Sequence, residues 1–292
     1  MASIMTNASA LTALQSLNAT NKNLETTQGR ISTGYRVAEA SDNAAYWSIA
    51  TTMRSDNKAL STVQDSLGLG ASKIDTAYTG MNKAIETANE IKVKLVAASG
   101  STDQDKAKIQ TEIKALQDQL KSYADAATFS GTNMLSVSNA SGTAADVKIV
   151  SAFNRTAAGV ASISTIDVKV EDIKLYDAGA APTKKGIIDA ARLGTTGAIQ
   201  AATSGTLGTD AATDAYALSS MQLTDGTNFA TDAQIGKMLT VTETALKEMT
   251  TAATNLGAAK SRVDLQKTFT QSLMDSIDRG IGQLVDADMN KE

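Results

Sequence analysis

Any chemistry in this chain has to proceed without thiols or imidazoles, because its 292 residues include neither Cys nor His. That removes thiol nucleophiles, imidazole bases and the commonest zinc ligands. A Ser–His–Asp triad is excluded. Carboxylate, Lys, Tyr and Ser chemistry remains open, but no spacing of these types forms a constellation. Gly68-Leu69-Gly70-Ala71-Ser72-Lys73 has the look of a phosphate loop, yet the Walker spacing is missing and no strand precedes it. Glycine on a helix seam more simply permits a close helix approach. Asp286, Asp288 and Asn290 resemble the start of a calcium loop, but Lys291 stands where such a loop needs Gly. Asn-X-Ser/Thr triplets such as Asn18-Ala19-Thr20 are expected by chance in a Ser/Thr-rich chain. No catalytic residue, metal site or cofactor is expected.

Composition points to a scaffold. There are 27 basic and 31 acidic side chains, a net charge of -4, which gives no reason to expect nucleic acid or an anionic membrane as partner. An exported form could not rely on disulfides. Aromatic residues make up 4%, and Pro182 is the one proline, so little interrupts long helices. Residues 1–20 carry no Lys or Arg and their apolar positions are spaced out, unlike a cleavable signal. No run approaches the roughly 18–20 apolar residues of a membrane span.

The elements follow from periodicity. Ile4, Leu11, Leu14, Leu17, Leu24 and Ile31 form one apolar stripe on an otherwise polar helix, which needs a partner to be stable. A break falls over about 34–45. Leu60, Val63, Leu67, Ile74, Ala77, Met81, Ala84, Ala88, Ile91, Leu95 and Ala98 then step mostly by threes and fours in a coiled-coil-like seam that stops at Ser99-Gly100. Ser101 with Gln104 reads as a capping box opening an antiparallel helix, whose face carries Ile109, Ile113, Leu116, Leu120 and Tyr123 and which ends near Gly131. Ile166, Val168 and Val170 alternate with charged residues, and 146–149 is the candidate hairpin partner. From about 177 to 214 small polar residues dominate. Leu246, Met249, Ala253, Leu256, Val263, Met274, Ile277, Ile281 and Leu284 form a last seam, fit to pack beside 57–99.

Arg30-Ile31-Ser32-Thr33-Gly34-Tyr35-Arg36-Val37 followed by Ala40-Ser41-Asp42-Asn43-Ala44-Ala45 resembles the N-terminal signature of bacterial flagellins. Asn18-Ala19, Phe129-Ser130-Gly131 with Asn133-Met134-Leu135, and Ala258-Ala259-Lys260-Ser261-Arg262 look like that family too. Tyr46-Trp47-Ser48-Ile49-Ala50 is similar to the rhizobial and α-proteobacterial version. The likeness covers about 1–137 and 230–292. It implies a mainly α fold: a long antiparallel, coiled-coil-like bundle built from both chain ends, with a β-hairpin and a small β-rich or irregular outer subdomain. The implied domains are 1–45 as inner-tube helix and spoke, 46–175 with 230–280 as helical rod, 176–229 as variable outer part, and 281–292 as the start of a C-terminal inner segment. The implied partners are further copies of the chain, other flagellins, and cap, hook-junction and type III export proteins, in an extracellular filament.

Flagellins continue past the Asp286-Ala287-Asp288 region into a further amphipathic helix, whereas this sequence stops at Glu292; on that reading the chain is expected to be monomeric or to assemble poorly. Residues 29–50 match the stretch that plant immune receptors read. Arg30, Ser32, Thr33, Gly34, Arg36 and Asp42 follow its pattern; Ser41, Asn43, Tyr46 and Trp47 depart from it, which implies weak perception. Residues 90–96, where animal Toll-like receptors make contact, lack the Arg-rich pattern of stimulating flagellins. Some family members carry a metalloprotease insert, a possibility closed here by the absence of His. The rival readings are a hook–filament junction protein, which should match less well around 30–50, a monomeric adhesin or immune ligand, and a carboxylate enzyme.

Overall fold

The computed structural model describes residues 7–138, 141–156, 159–179, 181–182 and 184–288. The chain is mainly helical and divides into two compact units, residues 1–64 with 268–292, and residues 65–267. Four helices dominate: α1 (Ala8–Thr33), α2 (Ala44–Ala98), α3 (Asp103–Ala126) and α4 (Asp232–Val285).

Each helix end has a local cause. The Asn7 side chain accepts from the Ser9 and Ala10 N–H groups and opens α1. Gly34, at φ 75, closes it in the left-handed region that a side chain would resist. The capping box of α3 lies one residue later than the sequence suggests. Thr102 accepts from the Asp105 N–H and donates to the Asp105 carboxylate, while the Ser101 hydroxyl is used by the Ala98 carbonyl at the end of α2. The helix α3 also ends at Ala126 rather than near Gly131. Thr128–Phe129 pairs with Thr132–Asn133 across Ser130 and Gly131, both at positive φ. Asn133 locks this turn by donating to the Ala124 and Asp125 carbonyls and accepting from the Leu135 and Ser136 N–H groups.

In the larger unit, α3 and α4 both run antiparallel to α2, with ion pairs Lys94–Glu112, Lys92–Glu243 and Lys260–Asp75 on their flanks. All eleven seam residues from Leu60 to Ala98 are buried. Gly68 and Gly70 lie inside α2, so no phosphate loop exists there. The close approach at Gly70 is to a strand, not a helix: a Cβ there would lie 2.5 Å from Ile149 Cγ2. Ile149 belongs to the strand Val147–Arg155, which pairs with Ala161–Val168, Val147 opposite Val168 and Ile149 opposite Ile166; Val170, expected within the second strand, lies in a 3-10 turn after it.

The stretch 176–229 is irregular apart from two-residue strands, yet Ile187, Ile188, Ala191, Leu218, Met221 and Leu223 are buried. Backbone groups that no sheet satisfies need other partners, and the helices supply them. Gln234 donates to the Thr206 and Thr209 carbonyls and accepts from the Gly208 and Thr231 N–H groups. Gln117 donates to the Leu218 and Met221 carbonyls, and Lys106 to that of Ala230. Arg192 grips both oxygens of Glu248. The region therefore rests on α3 and α4 through long polar side chains where a sheet would use a ladder.

Candidate assembly surface

In the smaller unit α1 has no buried residue at all. Leu11, Leu14, Leu17, Leu24 and Ile31 are each more than half exposed, at 52–57%. Their spacing puts them on one side of the helix, and Ile4, the first member of the predicted stripe, lies outside the described residues. Surface-exposed leucines are unremarkable singly; a row of five on one helix makes this face a candidate association surface.

The connection from α1 to α2 is ordered by contacts that the sequence did not announce. The N–H groups of Arg36 and Val37 donate to the Val285 carbonyl at 2.7 and 3.2 Å, and Ala287 N–H donates to Gly34 O at 2.9 Å. Tyr35 bridges to Asp286. The Arg36 guanidinium donates to the Leu284 carbonyl at 3.0 Å, capping the end of α4 with positive charge where helix carbonyls are unpaired. Beneath this clasp, Val37 and Ala50 are buried against Ile281 and Val285, with Met53, Ile277 and Leu284 around them. Asp286 is thus an element of the clasp and no part of a calcium loop; Asn290 lies outside the described residues. Among the described residues no cluster of three metal-binding side chains occurs.

The other signature residues have local duties. Arg30 is half-buried in the last turn of α1, Ser32 is exposed, and the Thr33 hydroxyl donates to Gly29 O. Asp42 accepts from the Ala38 and Glu39 N–H groups at 3.0 and 3.1 Å. The Asn43 side chain accepts from Tyr46 N–H and opens α2. Arg36 lies 6.0 Å over the Tyr46 ring and Arg54 lies 5.4 Å over Tyr35, so two aromatic faces are occupied by guanidinium groups. Trp47 is 39% exposed.

The hydrogen bonds from Glu39 and then Ala38 hold the Asp42 carboxyl below its ordinary value of 3.8. A depressed folded-state value means that the contribution of Asp42 is present above the unfolded-state value and lost as pH falls through the folded-state one. Hydrogen exchange of the Ala38 and Glu39 amides is expected to lose its protection as pH drops below that range. Asp42→Ala should produce the same loss already at neutral pH. Unchanged protection in the variant would show that the turn is held by something else.

The family model described as the bacterial flagellin N-terminal helical region matches residues 4–161, and that of the C-terminal helical region matches 239–292. The chain belongs to the bacterial flagellin family. It is 47% identical over 298 residues to Flagellin C of Rhizobium meliloti (strain 1021), covering all of this chain and 89% of that one. It is 46% identical over 292 residues to a flagellin of Brucella melitensis biotype 1, covering all of this chain and 88% of that one. Flagellin A of Rhizobium meliloti is 39% identical over 364 residues, with all of this chain and 92% of that one covered. The rhizobial resemblance of residues 46–50 is thus matched along the whole sequence. A flagellin is a structural protein, the self-assembling subunit of the extracellular flagellar filament, and no helix among the described residues is long and apolar enough to cross a membrane.

Proposed function

We propose that the α1 face bearing Leu11, Leu14, Leu17, Leu24 and Ile31, with Ile4 ahead of it, is the copy-to-copy contact of the filament. The observation that carries this reading is the exposure of five large apolar side chains on a helix with nothing buried. The clasp of residues 34–37 on 284–287 gives that helix a fixed root. The proposed role is structural and cofactor-free, in keeping with the flagellin family; cap, hook-junction and export proteins are the further partners this role requires, with other flagellins as co-subunits. The test is seeded growth: sheared filaments mixed with parent chain or with Leu17→Asp, followed by electron microscopy. Elongation by the parent alone supports the reading, and equal elongation by both refutes it.

Host receptors engage this flagellin weakly in the same proposal. Two of the departing residues, Asn43 and Tyr46, are tied to each other or to Arg36, and Trp47 adds a bulky exposed ring. In 90–96 the cations Lys92 and Lys94 are engaged by Glu243 and Glu112.

A further inference from the structure

Residues 171–190 gather more acid than buried base. Lys174 is held by Asp177 at 2.6 Å and Glu171 at 2.9 Å. A further carboxylate, Asp189, lies on the turn 186–190, which folds over residues 174–177. Backbone bonds press that turn down: Ile187 N–H donates to Lys174 O at 2.9 Å and Ile188 N–H to Leu175 O at 3.0 Å, while Ala190 N–H donates to Gly186 O at 2.9 Å. Gly186 permits the approach, since a Cβ there would lie 2.1 Å from Leu175 O. Ile187, Ile188 and Ala190 are buried.

Asp189 pins the same turn through its side chain. Its Oδ2 accepts from the Asp177 N–H at 3.1 Å. Its Oδ1 is buried and meets no donor in hydrogen-bonding geometry. A carboxylate oxygen withdrawn from water without a partner is costly while charged, and far less so once protonated. The surrounding charges offset little of this. The cation acting on Asp189 is Lys185, which is exposed. Lys174 is engaged by its two carboxylates, and Arg192, which donates to Ile187 O at 3.4 Å, is matched by Glu248 of α4. The Tyr176 hydroxyl is also buried without a partner; the Asp189 charge bears on it more than Asp125 and Asp118 of α3 do, and Lys121 of α3 sits 5.3 Å over its ring. Burial therefore lifts the Asp189 carboxyl above its ordinary 3.8, against the weaker pull of the Asp177 N–H, Lys185 and the Gly186 and Asp189 N–H groups.

We propose that Asp189 is a proton-operated latch: protonated, it holds the turn 186–190 on residues 174–177, and ionised, it makes that turn the first part of its neighbourhood to open. Opening hydrates the orphaned Oδ1, so the charged form favours it. A folded-state value above the unfolded one makes the contribution complete below 3.8 and lost as pH rises through the raised value. Asp42, Asp105, Asp125 and Asp225 are held below 3.8 and titrate on the other side of that window. A subunit of an extracellular filament meets the pH of its medium directly. The latch is independent of the α1 face.

The test is amide hydrogen exchange of the monomeric full chain as a function of pH, read as protection factors at Ile187, Ile188 and Ala190. Protection is expected to rise as the medium is acidified from neutral, by about tenfold for each unit by which the Asp189 midpoint exceeds 3.8. Asp189→Asn keeps an acceptor for the Asp177 N–H and carries no charge, so its protection should be independent of pH over that window. Flat protection in the parent, or the same pH dependence in the variant, would overturn the latch. Should the variant fail to fold, the carboxyl carbon-13 shift of Asp189 in the parent decides: a midpoint above 3.8 that coincides with the change in protection supports the latch, and one at or below 3.8 refutes it.

Discussion

Leu17→Asp is expected to abolish filament growth while leaving the larger unit folded. A buried Leu contributes about 1.5–3 kcal/mol, and a carboxylate forced into the same interface costs several kcal/mol in lost hydration. At about 1.4 kcal/mol per tenfold change, the critical concentration should rise at least about a hundredfold. The loss is expected to be clean because Leu17 is 57% exposed within its own chain, so an Asp there meets water in the monomer. Circular dichroism and thermal unfolding of the monomer should be unchanged within error. A variant that unfolds would instead place Leu17 in an internal core, and one that polymerises normally would move the assembly face elsewhere.

Lys174→Met is expected to be the most damaging single change to the larger unit. Lys174 is 1% exposed and donates to Asp177 at 2.6 Å and to Glu171 at 2.9 Å. Burial alone would push the lysine pKa down, but the hydrogen bonds it donates to Asp177 and Glu171 outweigh it and raise the value above 10.5. A raised folded-state value means the contribution is complete below the unfolded-state value and lost only as pH rises through the raised one. Stability from this lysine should accordingly be flat across neutral pH. Methionine keeps the length and removes the charge, leaving the Asp177 carboxylate, whose side chain is 0% exposed, without its cation. Stranding one partner of a buried pair costs about 3–5 kcal/mol. The melting temperature should fall by many degrees, and Lys174→Met/Asp177→Asn should recover part of the loss because the fully buried carboxylate is then neutral, while Glu171 is partly exposed. A single variant that melts within a degree or two of the parent would show that the pair is solvated.

Periodicity exposed most of the helical frame, for a physical reason. Burial along a helix repeats every three or four residues, so Leu67, Ile74, Met81, Ile91 and Leu95 declare themselves without knowledge of their partners. That 146–149 could pair with the strand around Ile166 and Val168 was legible from alternation in the same way. Caps were less so: Ser101 and Thr102 are both competent, and the choice is made by the Ala98 carbonyl, which claims the Ser101 hydroxyl. Buried polar anchors were not legible. Gln117 reaches carbonyls 101 and 104 residues away, and nothing local distinguishes it from a solvent-facing glutamine. The clasp was missed likewise, although Val37, an apolar residue within a polar break, was a hint that something covers it. At the candidate surface the stripe itself could be read, because an amphipathic helix advertises its face; what would meet that face could not, because no residue of this sequence names it.

The most direct test of the assembly face is thiol protection. Leu17→Cys introduces the chain's single thiol, and maleimide labelling is timed in monomer and in seeded filaments. The account predicts rapid labelling of the monomer and strong protection in the filament, reversed on depolymerisation. Equal labelling rates in both states would contradict it, since a residue that stays open to solvent in the polymer cannot belong to the contact that holds it together.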